Sequence, residues 1–361
     1  MQQPRIPVAI LGATGAVGQR FVQLLEGHPW FEVVALTGSE RAVGQKYYQA
    51  CHWLLASPMP EFARDMPVLP TATEPVDVAL AFSALPAEAA RQVEPLYASR
   101  GTVVCSNASA FRQEPDVPLL MPEVNPEHTG LVRAQRQNRG WKGYIVTNPN
   151  CTISGLTVAL KPLLQNFGIR RLMIVSLQAV SGAGYPGVPA LDILGNVLPY
   201  IPDEEEKMEW EPRKMLGFLQ DGKIELANFE ISAQANRVPV AEGHLVCLSV
   251  ELAQPAEMKA VAQALSGYLA PEVSRELPSA PKPVILIQDQ PDRPQPRLDI
   301  MTGKGMTTVV GRLRPDPIFD YKMVILSHNT IRGAAGGSIY NAELLVKQGL
   351  LSGKQVSKAE A

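Results

Sequence analysis

Two rhythms of apolar and polar positions divide the chain. Up to Thr147, short unbroken apolar runs enter turns of small residues, and after the turns apolar side chains recur every three or four positions. In IPVAILGATGAVGQRFVQLLEG the run from Val8 to Leu11 reads as a buried strand, and Phe21, Val22, Leu24 and Leu25 read as the inner face of a helix. The same strand–turn–helix unit returns in VDVALAFSALPAEAARQVEPLYASRG, while FEVVALTG and TVVCSNASAFR supply further strands. LVRAQRQNRGWKG reads as a basic, solvated surface helix. Such alternation predicts an α/β domain with a parallel sheet.

After Asn150 the rhythm changes. Ile153, Leu156, Leu160, Leu163 and Leu164 mark one helix face, with a bend expected at Pro162. The strand-like runs RLMIVSLQAV, HLVCLSVEL, PVILIQ, TTVVGRL and YKMVILSH follow, separated by long connections. They predict a mixed or largely antiparallel sheet with helices on one face. The tail NTIRGAAGGSIYNAELLVKQGLL reads as a glycine-rich turn and then a helix. The expected domains are 1–148, completed by the C-terminal helix 330–361, and 149–329.

Composition narrows the classes. A chain of 361 residues with 46% apolar content can bury two cores. A net charge of −2 provides no global basic field for nucleic acid or an anionic membrane. The cysteines Cys51, Cys105, Cys151 and Cys247 form neither CxxC pairs nor a dense framework, and read as thiols of a reducing cytoplasm. The first apolar run enters a glycine turn, so it is a strand and not a signal peptide. No apolar run reaches the ~18 residues that a membrane helix needs.

Three places carry candidate chemistry. The first is GATGAVG, in which Gly12, Gly15 and Gly18, with Thr14, Ala16 and Val17 between them, join a strand to a helix. Backbone without Cβ atoms can approach a pyrophosphate there, at N–H groups left unpaired by the helix start. The second strand ends in Thr37-Gly38-Ser39-Glu40-Arg41. Hydroxyls at Thr37 and Ser39 and the Arg41 guanidinium suit the 2′-phosphate of NADP; the alternative leaves Arg41 in solvent and puts Glu40 on a ribose. Ser83, Ser106, Asn107 and Arg112 fall at later strand ends, where ligands of open sheets gather, whereas Cys105 reads as a core residue. The third is Cys151, set between Asn-Pro-Asn and a helix. A helix N-terminus stabilises a thiolate, and its free N–H groups can hold an oxyanion; Asn150 is placed to cap it. A cysteine there can form a thioester with an acyl substrate. Of the five histidines, His28, His52, His128 and His328 sit in loop or surface-looking sequence. His244 enters a sheet edge beside Arg237, which suits a proton shuttle next to a carboxylate clamp.

The segments GATGAVG, SNASAFR, VPLLMPEVNPEH, TNPNCT, LQAVSGAGYPGVPALDILGNVLPYI, EEEKMEWEPRKMLG, NRVPVAEGH and NTIRGAAGGSIYNAE, in this order, resemble the aspartate-β-semialdehyde dehydrogenases over nearly the whole chain. The details are similar to the branch common in archaea and fungi. The resemblance implies an N-terminal Rossmann-type dinucleotide-binding domain and an α+β substrate and dimerisation domain of the glyceraldehyde-phosphate-dehydrogenase type. It also implies homodimers or homotetramers. By the same resemblance Cys151 is the nucleophile, His244 the acid/base and Gln178 the group that orients the substrate. Arg237 takes the α-carboxylate, Glu204 the ammonium (with Glu205 and Glu206 as rivals), and Lys207, Arg112 and Asn107 the phosphate. Ser181, Gly182 and Asn329 join the cofactor contacts. The implied reaction is NADPH reduction of β-aspartyl phosphate to the semialdehyde, with release of inorganic phosphate and no metal, in amino-acid biosynthesis. Acyl reductases acting on N-acetyl-glutamyl phosphate or malonyl-CoA remain open, as does a nucleotide sensor without turnover. A Cys–His hydrolase leaves the first domain without a purpose.

Overall fold

A computed structural model describes residues 5–72 and 75–351. The chain divides into two compact units, 1–118 with 129–148 and 338–361, and 119–128 with 149–337. Residues 119–128 and 330–337 therefore group with the second unit, where the sequence reading had put them with the first. The expected C-terminal helix ends at Lys347, and residues 352–361 lie outside the described part.

In the first unit the strands β1 (Ile6–Leu11), β2 (Phe31–Gly38), β3 (Val68–Pro70), β4 (Leu80–Ser83), β5 (Val103–Ser106) and β6 (Tyr144–Thr147) form one sheet in the order β3-β2-β1-β4-β5-β6. Every neighbouring pair is parallel. This is the Rossmann topology, and its order reverses between β1 and β4. Ligands of open α/β sheets bind beyond the strand ends at that reversal. Gly12 leaves β1 at φ +76, and a Cβ on it would lie 3.1 Å from Ala84 O, the residue after β4. The apolar run of β1 is fully buried from Val8 to Leu11, as its unbroken pattern requires. Residues after 337 return to this unit through Ser338, whose hydroxyl donates to Asn107 Oδ1, and through Glu343, 3.0 Å from His28 Nε2.

In the second unit β7 (Ile169–Gln178), β10 (Glu230–Arg237), β11 (His244–Leu252), β12 (Ile285–Gln288), β13 (Thr308–Pro315) and β14 (Tyr321–Ser327) form a sheet in the order β10-β7-β11-β14-β13-β12. It is mixed: β10 runs parallel to β7 and β12 to β13, and the other pairs are antiparallel. A small hairpin, β8 (Phe218–Gln220) and β9 (Lys223–Glu225), stands apart. β10 was not foreseen, because EISAQANR has Ile231 as its one β-branched residue and no aromatic, too weak a strand signal. The helix Cys151–Phe167 buries Ile153, Leu156, Leu160 and Leu163 in this unit's core.

Three further expectations are corrected. The expected helix of the tail is present at Gly336–Lys347, but the glycine-rich stretch before it is itself helical: Ile331–Ala335 is π-helical and runs on into that helix. The basic helix, observed at Leu131–Arg139, buries Leu131, Val132 and Gln135, and Arg139 pairs with Asp116 and Glu114. Of the four histidines read as loop or surface residues, His28, His128 and His328 are buried. Partners far along the chain meet them; His128 Nε2, for example, lies 3.2 Å from Gly217 O.

The glycines of the first turn differ in what they tolerate. A Cβ on Gly18 would stand 2.2 Å from Gly12 O and 2.6 Å from Ala13 Cα, whereas one on Gly15 meets nothing closer than 3.6 Å. Gly18→Ala is therefore expected to destabilise by about 1–3 kcal/mol through enforced backbone movement. Gly15→Ala should stay within about 0.5 kcal/mol of the parent. Urea unfolding of the two variants checks this; equal midpoints would contradict the turn geometry.

Candidate active site

The mixed sheet brings distant residues into one row. Register pairs Arg237, the last residue of β10, with Gln178, the last of β7. His244, the first residue of β11, pairs with Ser327, the last of β14. Because the order is β10-β7-β11-β14, these four positions line one end of the sheet. The start of the helix Cys151–Phe167 meets that end: Cys151 Sγ lies 3.3 Å from His244 Nε2. Asn150 caps this helix, its Oδ1 accepting from Thr152 N at 2.9 Å.

The tautomer of His244 follows from its other nitrogen. Nδ1 lies 3.0 Å from the backbone N of Ala179, whose N–H can only donate, so Nδ1 accepts. The neutral ring then carries its proton on Nε2, facing the sulfur. Burial above all, and then the Arg237 charge, lower the His244 pKa to about 3, against the opposing pull of Glu204. Gly182 leaves the room for this arrangement: a Cβ there would stand 2.8 Å from Arg237 Nη1 and 3.0 Å from His244 Nε2.

Glu204 is the hub beneath. The helix Glu204–Met215 presents it buried, and its carboxylate accepts from Asn150 Nδ2 at 2.9 and 3.0 Å, Gln178 Nε2 at 3.0 Å and Lys207 Nζ at 3.1 Å. Burial alone would raise this carboxyl, but the Lys207 ammonium and the hydrogen bonds from Gln178 and Asn150 hold it below the ordinary value. Its rivals separate cleanly, since Glu205 accepts from Ala235 N and Glu206 is exposed. Glu211, two turns further along the same helix, accepts from Asn150 N at 2.7 Å. Sequence reasoning passed it over, although its seven-residue spacing from Glu204 puts both on one helix face. Arg237 Nη1 donates to Ala179 O at 2.8 Å. Burial lowers the Arg237 pKa, while attraction to Cys151 and Glu204 opposes the shift. Asn329 links the row from behind, donating to Ser181 Oγ and accepting from Gly243 N.

The candidates of the first unit lie at its strand ends. Thr37 does not face outward as expected: it is fully buried, and its Oγ1 accepts from Thr71 Oγ1 at 2.9 Å and from Gly12 N at 3.4 Å. It fastens the glycine turn. Ser39 and Arg41 are exposed, Thr14, Ala16 and Val17 are half-buried along the turn, and Ser83 is buried at the end of β4. The Asn107 side chain donates to Ser83 O, and Arg112 Nη2 donates to Asn107 O at 2.9 Å. Cys105 is fully buried, and burial pushes its thiol far above the ordinary value, as befits a core residue. Cys151 is only half-buried. Among the described residues no three His, Cys, Asp or Glu side chains are grouped to hold a metal ion, and no helix is long and apolar enough to cross a membrane.

Residues 7–131 match the family model described as the NAD binding domain of semialdehyde dehydrogenase, and residues 160–332 match the one described as its dimerisation domain. The chain is similar to the aspartate-semialdehyde dehydrogenase of Archaeoglobus fulgidus, at 49% identity over 96% of this chain and 100% of that protein. It is similar to the Saccharomyces cerevisiae enzyme of the same name at 43% identity, over 95% and 98% of the two chains. The crystal structure of aspartate semialdehyde dehydrogenase with NADP from Candida albicans superposes with a TM-score of 0.88 at 42% identity, over 96% of this chain and 100% of that one.

The sheltered ring generates a prediction. With its pKa lowered from 6.5 to about 3, His244 should stay neutral at every pH from 8 down to 5. In long-range 1H–15N spectra it is expected to show a pyridine-like Nδ1 and a pyrrole-like Nε2, both unmoved across that range. A midpoint near 6.5 would show that the ring is not sheltered as described.

Proposed function

The chain belongs to the aspartate-semialdehyde dehydrogenase family, and on that premise we propose that it interconverts β-aspartyl phosphate and aspartate β-semialdehyde with NADP, through a thioester on Cys151. The observation that carries this reading is the sulfur 3.3 Å from a ring nitrogen whose proton is fixed by the Ala179 N–H on the opposite side.

The helix start and the nearby Arg237 favour the thiolate, which attacks the acyl carbon of the substrate. Arg237 offers a planar fork to the α-carboxylate, and Glu204 offers its carboxylate to the ammonium. Gln178, held by Glu204, keeps the acyl group in line. Inorganic phosphate leaves toward a cation, the role given to Lys207; the family resemblance assigns Arg112 and Asn107 to phosphate as well. NADPH, when bound, supplies the hydride that reduces the thioester. His244 presents its Nε2 proton to the oxygen on which charge develops. Collapse of the resulting thiohemiacetal releases the semialdehyde and restores the cysteine. A pyrophosphate suits the glycine turn because Gly12 and Gly18 let strand, turn and helix start close tightly on one another, which leaves helix-start N–H groups for an anion. Exposed Ser39 and Arg41 suit the 2′-phosphate; the family resemblance adds Ser181, Gly182 and Asn329 to the cofactor contacts.

The match to a dimerisation domain makes the chain part of a homo-oligomer. A dimer or tetramer in the cytoplasm fits an apolar stripe on the second sheet, where exposed Met173 stands two residues from Val175 and Val175 pairs with exposed Cys247.

Three measurements test the reading. In a phosphate-dependent NADP reduction assay, aspartate semialdehyde should be turned over far faster than N-acetyl-glutamate semialdehyde, or malonate semialdehyde with CoA. Cys151→Ala should abolish that turnover while NADPH still binds, and residual activity well above background would sink the thioester route. Arg41→Ala should weaken NADPH much more than NADH, because a charge-assisted hydrogen bond contributes roughly 1.5–3 kcal/mol. An equal effect on both cofactors would remove Arg41 from the 2′-phosphate.

A further inference from the structure

The start of the Cys151 helix is closely packed at two glycines, Gly155 within the helix and Gly333 against it. A Cβ on Gly155 would stand 2.5 Å from Ser327 Cβ, and one on Gly333 would stand 2.7 Å from Cys151 Cα and 2.8 Å from its Cβ. At Gly333 the chain is thus seated directly against the Cys151 backbone with no side chain between. Gly333 sits in the π turn Ile331–Ala335, where Gly333 N donates to His328 O at 2.9 Å and Ala335 N to Thr330 O at 3.1 Å. These bonds span five residues, a widened turn that the sequence alone would not favour and that recurs at functional sites.

A buried ion pair holds this turn. Arg332 Nη1 lies 2.7 Å from Glu123 Oε1, with both side chains sealed from solvent. Arg332 Nη2 also meets Met121 Sδ at 3.3 Å, and Met121 Sδ receives the hydroxyl of Thr157, two turns along the Cys151 helix. Such a pair is a poor source of stability, because desolvation offsets the attraction. Burial keeps the Glu123 carboxyl above its ordinary value even beside the guanidinium. What the pair does supply is a fixed distance, tying the residue next to Gly333 to the segment that also contacts the helix.

We propose that Arg332 and Glu123 are positioning residues for the nucleophile: they pin the π turn so that Gly333 sets where Cys151 stands against His244. The proposal rests on the reading of Cys151 as the nucleophile.

The test uses the full-length protein with Arg332→Met and Glu123→Leu combined, since replacing both partners with apolar groups often leaves stability unchanged or improved. The expected result is a folded variant with nearly native KM and a kcat reduced on the order of 10²-fold, the scale of an ångström misplacement. Alkylation of Cys151 by iodoacetamide should slow as well. Gly333→Ala should give the same signature without removing a charge. A folded double variant with native kcat and native alkylation overturns the proposal. So does a fall in kcat that only follows loss of folded protein, with alkylation per folded molecule unchanged. If the double variant yields no folded protein, Gly333→Ala decides alone by the same two readings. Retained turnover in Cys151→Ala would instead overturn the nucleophile itself, whatever the other variants do.

Discussion

The site depends on one backbone hydrogen bond, from Ala179 N to His244 Nδ1. It forces the ring proton onto Nε2, and it opposes a second proton on Nδ1, where two donors would meet. The bond exists because β7 and β11 lie side by side, which sets the residue after Gln178 against the first residue of β11. The ring is buried beside a guanidinium, so a charged imidazole is disfavoured twice. A single main-chain donor thus converts sheet register into proton placement.

Around it the second unit holds charge by division of labour. Asn150 caps the Cys151 helix with its oxygen and gives its amide hydrogens to Glu204, and its backbone N–H goes to Glu211. Two carboxylates on one face of the helix Glu204–Met215 therefore grip the residue before the cysteine. Negative charge so near a thiolate would work against it; the helix start and Arg237 act in the opposite sense.

Much of this was legible in the sequence wherever a local pattern carried the information. The run Val8 to Leu11 and the glycines after it announced β1 and its turn, and Asn-Pro-Asn-Cys announced a capped helix start. What stayed hidden depended on partners distant in sequence. His28, His128 and His328 looked like surface residues because the partners they meet, Glu343, Gly217 and Glu242, lie far along the chain. Thr37 ended a strand as a ligand hydroxyl would, yet its bond with Thr71 turns it inward. β10 carries alanines and polar residues that pass for loop until β7 pairs with them. Glu204 could be singled out from Glu205 and Glu206 only once helix and sheet were seen together.

Under the proposed roles, the crowded carboxylate of Glu204 makes two ligands talk to each other. Its oxygens already hold Asn150, Gln178 and Lys207. A substrate ammonium can join only as a neighbour loosens, and Lys207 is the neighbour with an anion to turn to. Phosphate that draws Lys207 away leaves Glu204 more negative and more receptive to the amine, and an amine on Glu204 frees Lys207 for phosphate. By linkage each ligand strengthens the other by the same factor. Cooperativity between the two would then arise within one chain, from a single shared carboxylate, with no change of quaternary state.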